Sequence, residues 1–134
     1  MPVKVSVDCD ERLAKRTYSG VVTGHDLLDS IREYAVTPGF DPSFNEISDF
    51  REVTNINAMI EDIHRCAHTP DPFLHETKRV IVAPQALIYG LARMYQMMGE
   101  EMHPNLYVVR TIEEAQRILG TPTQANGTDS RLAG

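Results

Sequence analysis

A chain of 134 residues is long enough to bury one core, and 42% hydrophobic with 24% charged residues is ordinary globular composition. A formal net charge of -6 argues against a nucleic-acid footprint and against broad docking on anionic lipid, both of which want clustered Lys and Arg. The start "MPVKVSVDCD" lacks the pattern of a secretory signal, no run approaches the ~18 apolar residues of a membrane span, and Cys9 and Cys66 stand in no metal spacing. The expected setting is cytoplasmic and reducing, with peripheral membrane contact as a variant.

Val3, Val5 and Val7 alternate with polar residues, the period of a half-buried strand. "CDER" then turns the chain, and Leu13 to Gly20 returns as an antiparallel partner. Thr23 with Asp26 resembles a capping box, and Leu27, Leu28, Ile31 and Ala35 follow helical spacing until "TPGFDPS" stops it. The next strand is expected from Phe44 to Phe50, with Thr54 capping a second helix whose apolar face is Ile56, Met59, Ile60, Ile63 and Ala67. "RVIVAP" (79–84) reads as a central parallel strand, with Pro84 in the first turn of a third helix. "NLYVVR" (105–110) is the last strand, and Thr111 with Glu114 opens a final helix that Gly120 stops. The order is β-β-α-β-α-β-α-β-α: a mixed, mostly parallel five-stranded sheet with four helices in one domain, 1–120, and a polar, disordered tail, 121–134.

That order, with the strand-terminal "DFREVT", "VAPQALIYGLARMY" and "TIEEAQRILG", resembles the SpoIIAA-like branch of STAS-type domains. These are bacterial proteins of the anti-sigma-factor-antagonist fold, with CRAL-TRIO-like lipid-binding relatives. The likeness runs from Val3 to Gly120, and Ala83-Pro84 and Tyr89 to Met94 carry most of it. It implies a fold more than an activity, since members of that branch are mostly of unknown function. Antagonists of this type carry a phosphorylatable Ser in an Asp-Ser-Ser-Gly-Leu-like turn; here the turn reads Arg51-Glu52-Val53-Thr54-Asn55-Ile56, and Thr54 is its one hydroxyl.

In open α/β sheets ligands meet the carboxyl ends of the strands. Asp49, Arg51, Thr54 and Asn55 are expected at one such end, where a helix N-terminus and a guanidinium fork would take a polar head group. Taken as plain structure, Thr54 is an N-cap contributing about 1 kcal/mol, and Asp49 pairs with Arg51. The third helix carries Leu87, Leu91, Met94 and Met98 in one stripe, widened by Ile88, Tyr95 and Met102, more apolar surface than one face needs. Either methionines fill a core there, or the helix is an adaptable wall for a lipid-like ligand, a membrane or a second subunit. Tyr89, Arg93, Met94 and Met98 are its candidate ligand contacts, Arg93 alternatively pairing with Glu100 or Glu101.

Phe73 and Leu74 in the 68–78 loop either cover a cavity or fold onto the core. His64 and His68 could share a helix face with Glu61, but a third ligand and a His-Glu-x-x-His pattern are missing, so neither metal nor other cofactor is expected. Cys66 and Cys9 lack an activating environment, and neither a nucleophile elbow nor a phosphate loop occurs. The expectation is a non-enzymatic binding module for an apolar or lipid-like ligand or a membrane surface. The alternative is a protein-interaction regulator docking through the second helix N-terminus and switched by phosphate at Thr54. A homodimer would also cover spare methionines.

Overall fold

The structure is a computed structural model that describes residues 2–120; the tail expected over 121–134 lies outside the described residues. Strands β1 (Val3–Asp8) and β2 (Leu13–Thr23) form the antiparallel pair, with Val3 opposite Tyr18 and Asp8 opposite Leu13. After helix α1 (Gly24–Glu33) and a short 3-10 turn (Tyr34–Val36), β3 (Asn45–Asn57) pairs parallel with β2. Helix α2 (Ile60–Ala67), β4 (Arg79–Val82), α3 (Ala86–Met98), β5 (Leu106–Val109) and α4 (Ile112–Leu119) complete the chain. The sheet order is β1-β2-β3-β4-β5, one antiparallel and three parallel pairings.

The helix starts follow their capping residues. Thr23 accepts from the Asp26 backbone while the Asp26 carboxylate accepts from the Thr23 N–H, so two otherwise unpaired donors are met reciprocally. Thr111 accepts from the Glu114 N–H in the same way, and Gly120 ends α4 in the left-handed region at φ 72°. Pro84 lies before α3 rather than in its first turn, since Gln85 is the N-cap.

The second helix differs from expectation. β3 does not stop at Phe50 but continues to Asn57, and Thr54 caps nothing. The cause is β2, which runs to Thr23 and supplies a pairing edge for Val53, Asn55, Ile56 and Asn57. Val53 is buried with Val22 in the core, which holds the extension in place. Two register shifts absorb the mismatch: Phe50 and Arg51 together face Tyr18, and Thr54 is the extra residue between Val53 and Asn55. α2 begins at Ile60, where Met59 is the N-cap and the Asp62 carboxylate accepts from the Met59 N–H at 2.8 Å.

Each parallel crossover moves one strand along the same direction, so right-handed connections place α1, α2 and α3 on one face. There Tyr18, Phe50, Val53, Ile81, Ile88 and Ala92 form the larger core. α4 packs on the other face, where Ala115 and Leu119 meet Ile47, Val80, Val82 and Val109. With both faces covered, every residue of interior strand β4 is buried. Among the described residues no helix is long and apolar enough to cross a membrane.

Candidate functional site

Strand alternation sends Arg16 and Tyr18 from β2, and Glu46, Ser48 and Phe50 from β3, to the three-helix face. Register places Arg16 beside Ser48, and Glu46 beside Arg79 of β4. Charged groups therefore stand side by side under the helices, and they are almost fully buried: Glu46 is 1% exposed, Arg79 4% and Arg16 6%. Such charges persist only when paired.

Glu46 joins the two guanidiniums. Arg16 Nη2 lies 2.8 Å from its Oε2, and Arg79 Nε donates to its Oε1 at 3.0 Å. Ser48 Oγ donates to Oε2 at 3.1 Å and accepts from Arg16 Nη2 at 3.2 Å, while Arg16 Nη1 donates to Ser30 Oγ. On its far side Arg79 Nη1 pairs with Asp71, and His103 Nδ1 lies 3.0 Å from the same nitrogen. The Tyr95 hydroxyl meets His103 Nε2 at 3.4 Å. Phe73 folds down onto this cluster, its ring 4.7 Å from the Arg79 guanidinium carbon, leaving Leu74 exposed.

Burial works to raise the Glu46 pKa, but Arg16 and Arg79 outweigh it and hold the carboxyl below its ordinary value. Burial and Arg79 together lower His103, with Asp71 opposing them, so the imidazole is neutral near pH 7. Burial pushes Cys66 up to about 11 and Tyr95 up to about 12, so neither is a ready nucleophile or base.

Against this cluster lies a cavity of about 70 Å³ between the sheet and α1, α2 and α3. Arg16, Ser48 and Tyr95 bring polar groups to its lining; Phe50, Ile81, Ile88 and Leu91 belong to its apolar wall. Tyr18 and Phe50 stack in the wall with ring centroids 4.2 Å apart. Leu27, Ile56 and Leu91 line the cavity while keeping partial exposure, which sets its outer rim. Arg16 Nε is buried and has no hydrogen-bond partner.

The expected site residues do not converge on this cavity. Asp49 and Arg51 alternate to the other face, where Arg51 grips Asp49 through Nε to Oδ1 at 3.0 Å and Nη2 to Oδ2 at 2.8 Å. Lys15 Nζ lies 3.9 Å from Asp49. Burial acts to raise the Asp49 pKa, and the Arg51 contacts reverse it, leaving it lowered. Thr54 and Asn55 are exposed within β3 and neither caps a helix, so the N-cap role expected of Thr54 is absent. On α3, Arg93 is exposed and donates to Gln96, and the Tyr89 ring lies 4.4 Å from the Arg110 guanidinium carbon. Met94 and Met98 are half-buried, neither lining the cavity, while Leu87 is 61% and Met97 63% exposed. The helix does leave apolar surface uncovered, but its cavity wall is Ile88, Leu91, Ala92 and Tyr95. The His64 and His68 rings lie 4.3 Å apart, tilted by 33°; among the described residues no three His, Cys, Asp or Glu gather as a metal site.

Sequence reasoning missed Arg16, Glu46, Ser48, Arg79 and His103. A signal existed: a strand covered on both faces must bury whatever polar residues it carries, and Glu46 and Ser48 sit in such a strand. Compared with protein-family models and with curated proteins, the chain matches none.

Proposed function

We propose that this protein is a non-enzymatic, SpoIIAA/STAS-like module that holds an apolar small molecule, or the end of a lipid-like one, between its sheet and α1–α3. The element order and the antiparallel pair opening a parallel sheet support the fold assignment. The observation that carries the binding reading is the cavity of about 70 Å³, largely apolar, with the buried Arg16 and Ser48 among its lining residues. A cavity near 150 Å³ accepts benzene, so this one takes the inner few heavy atoms of a ligand. A longer chain would leave past Leu27 and Ile56. Exposed Met59, Ile60 and Leu87 mark the starts of α2 and α3 and extend apolar surface at that end of the fold.

Methyl-resolved NMR titration with five-heavy-atom apolar fragments tests the reading. Shifts are expected at Ile81, Ile88 and Leu91, and Ala92→Leu, which grows a side chain into the space, is expected to abolish them. Shifts scattered over the surface, or unchanged in Ala92→Leu, would remove it.

A further inference from the structure

We infer that the outer edge of β1 is an interface with a second copy of this chain. Two β1 strands pair antiparallel about a twofold axis at Ser6 and join both sheets into one. The interface is independent of the cavity, which lies between the sheet and its helices.

The sheet has two edges, β1 and β5, and they are finished differently. On β5 the Asn105 carbonyl accepts from Arg79 N–H of β4, so Leu106 faces outward, and its backbone is already engaged. Its N–H donates to the His103 carbonyl at 3.3 Å, and its C=O accepts from Gln96 Nε2 at 2.7 Å. On β1 the Pro2 carbonyl accepts from Ser19 N–H at 2.9 Å, which sets the phase of the ladder. Even-numbered residues therefore turn their backbone groups toward β2, and Val3, Val5 and Val7 turn theirs away from the sheet. Among the described residues nothing bonds those outward groups. An edge is ordinarily blunted by an internal proline or a bulge, but VKVSVD has no proline and pairs with β2 without a register shift.

The edge is complementary to itself. Strands that bond through outward groups set odd-numbered residues against odd ones. With the axis at Ser6, Val5 exchanges backbone bonds with the partner's Val7, and Lys4 lies opposite the partner's Asp8. That second pair is of the non-bonded kind, in which side chains come closest. Asp8 Oδ1 accepts from Glu11 N–H at 3.0 Å, so Oδ2 is the oxygen that meets the partner's Lys4. Lys4, Ser6 and Asp8 are exposed, while Val3, Val5 and Val7 are half-buried. Pairing thus matches charges on the open face and covers valines on the face where Val3 and Val5 already pack on the cores. An axis at Lys4 or Asp8 would set like charges against each other, which opposes pairing. An axis at Val5 or Val7 would take Lys4 and Asp8 out of register. The twofold repeats each favourable pair, as a closed dimer requires.

Sedimentation equilibrium of the full chain at pH 7 is expected to show reversible dimers in the micromolar to millimolar range. Lys4→Glu places a carboxylate opposite each Asp8 and is expected to weaken association by about tenfold or more. The axis is located by disulfide trapping in a Cys9→Ser background, which leaves only the buried Cys66. Ser6→Cys sets two thiols across the axis with Cα atoms about 4.5 Å apart, within disulfide reach, and is expected to link the dimer under mild oxidation. Lys4→Cys holds them about 13 Å apart along the strands and is expected not to link. All substituted positions are exposed, so each variant keeps its core. A chain that stays monomeric up to millimolar concentration overturns the inference. So does a Lys4→Glu variant that dimerises like its parent, or trapping that fails at Ser6→Cys or proceeds equally at Lys4→Cys. A dimer with those properties uses another surface, such as the exposed Leu87 and Met97 of α3.

Discussion

Replacing Glu46 by Gln is the sharpest perturbation of this molecule. The side chain keeps its shape, but one negative charge leaves a cluster in which Arg16 and Arg79 are 6% and 4% exposed. Asp71 then remains as the single carboxylate for two buried guanidiniums, and the new amide presents N–H groups to donors at 2.8 and 3.0 Å. Breaking one partner out of a buried ion pair costs about 3–5 kcal/mol, against a total of about 5–15 kcal/mol for a domain. With a urea slope of about 2 kcal/mol per M, the denaturation midpoint should fall by about 2 M. The double variant Glu46→Gln with Arg16→Met restores the balance, Arg79 keeping Asp71. Its loss should fall short of the summed single losses by about 2–3 kcal/mol. A Glu46→Gln loss under about 1 kcal/mol, or strict additivity in the double variant, would refute the view that these charges are desolvated and mutually compensating.

Other outcomes follow from the same geometry. Thr23→Ala removes a reciprocal cap and should cost about 1 kcal/mol, whereas Thr54→Ala, at an exposed bulge position, should cost less than about 0.5 kcal/mol in the same urea assay. Phe73→Ala opens the aromatic cluster of Tyr34, Phe40 and Phe73 and uncovers Arg79, so thermal unfolding should register about 3–5 kcal/mol. On acidification, unfolded His103 takes up a proton near 6.5 while the folded, lowered imidazole does not; stability should fall below pH 6.5, then again below about 4.5, where Glu46 is protonated in the unfolded chain while the folded carboxylate still holds its charge. On the alkaline side the unfolded Cys66 thiol ionises near 9 and the folded one near 11, so stability should decline above pH 9, and the first part of that decline should vanish in Cys66→Ala.

The parts of this fold that were legible in the sequence are those governed locally. Thr23 with Asp26 and Thr111 with Glu114 cap where their spacing says, because a cap needs only residues three apart. The alternation of Val3, Val5 and Val7 sets the first strand for the same reason. "REVTNIN" defeats a local reading. Ile56 within it and Ile60 and Ile63 beyond it have helical spacing, but β2 lies alongside as far as Thr23, and tertiary pairing overrides the pattern through Asn57. The site was hidden for a related reason. Arg16, Glu46, Asp71, Arg79 and His103 are spread over nearly 90 positions, and only the strand register and the folded-down 68–78 loop bring them together.

The cavity itself is a matter of small residues in opposing walls. Ser48 on the sheet and Ala92 on α3 are the shortest side chains around it, set among Phe50, Tyr18, Ile88 and Leu91. Leaving about 70 Å³ unfilled costs about 2 kcal/mol at ~24 cal/mol per Å³. The stacked Tyr18 and Phe50 rings and the ion-paired Arg16 below them keep the walls from collapsing into that space. A larger hydrophobic residue in place of Ala92 would recover part of the loss by a single change. Filling the space is thus the easy route to a more stable protein, and on the proposed reading the unfilled space is stability given up for ligand binding. The four ion-paired groups also hold Arg16 in place at the cavity wall, so on the proposed reading a ligand meets a wall that does not have to rearrange.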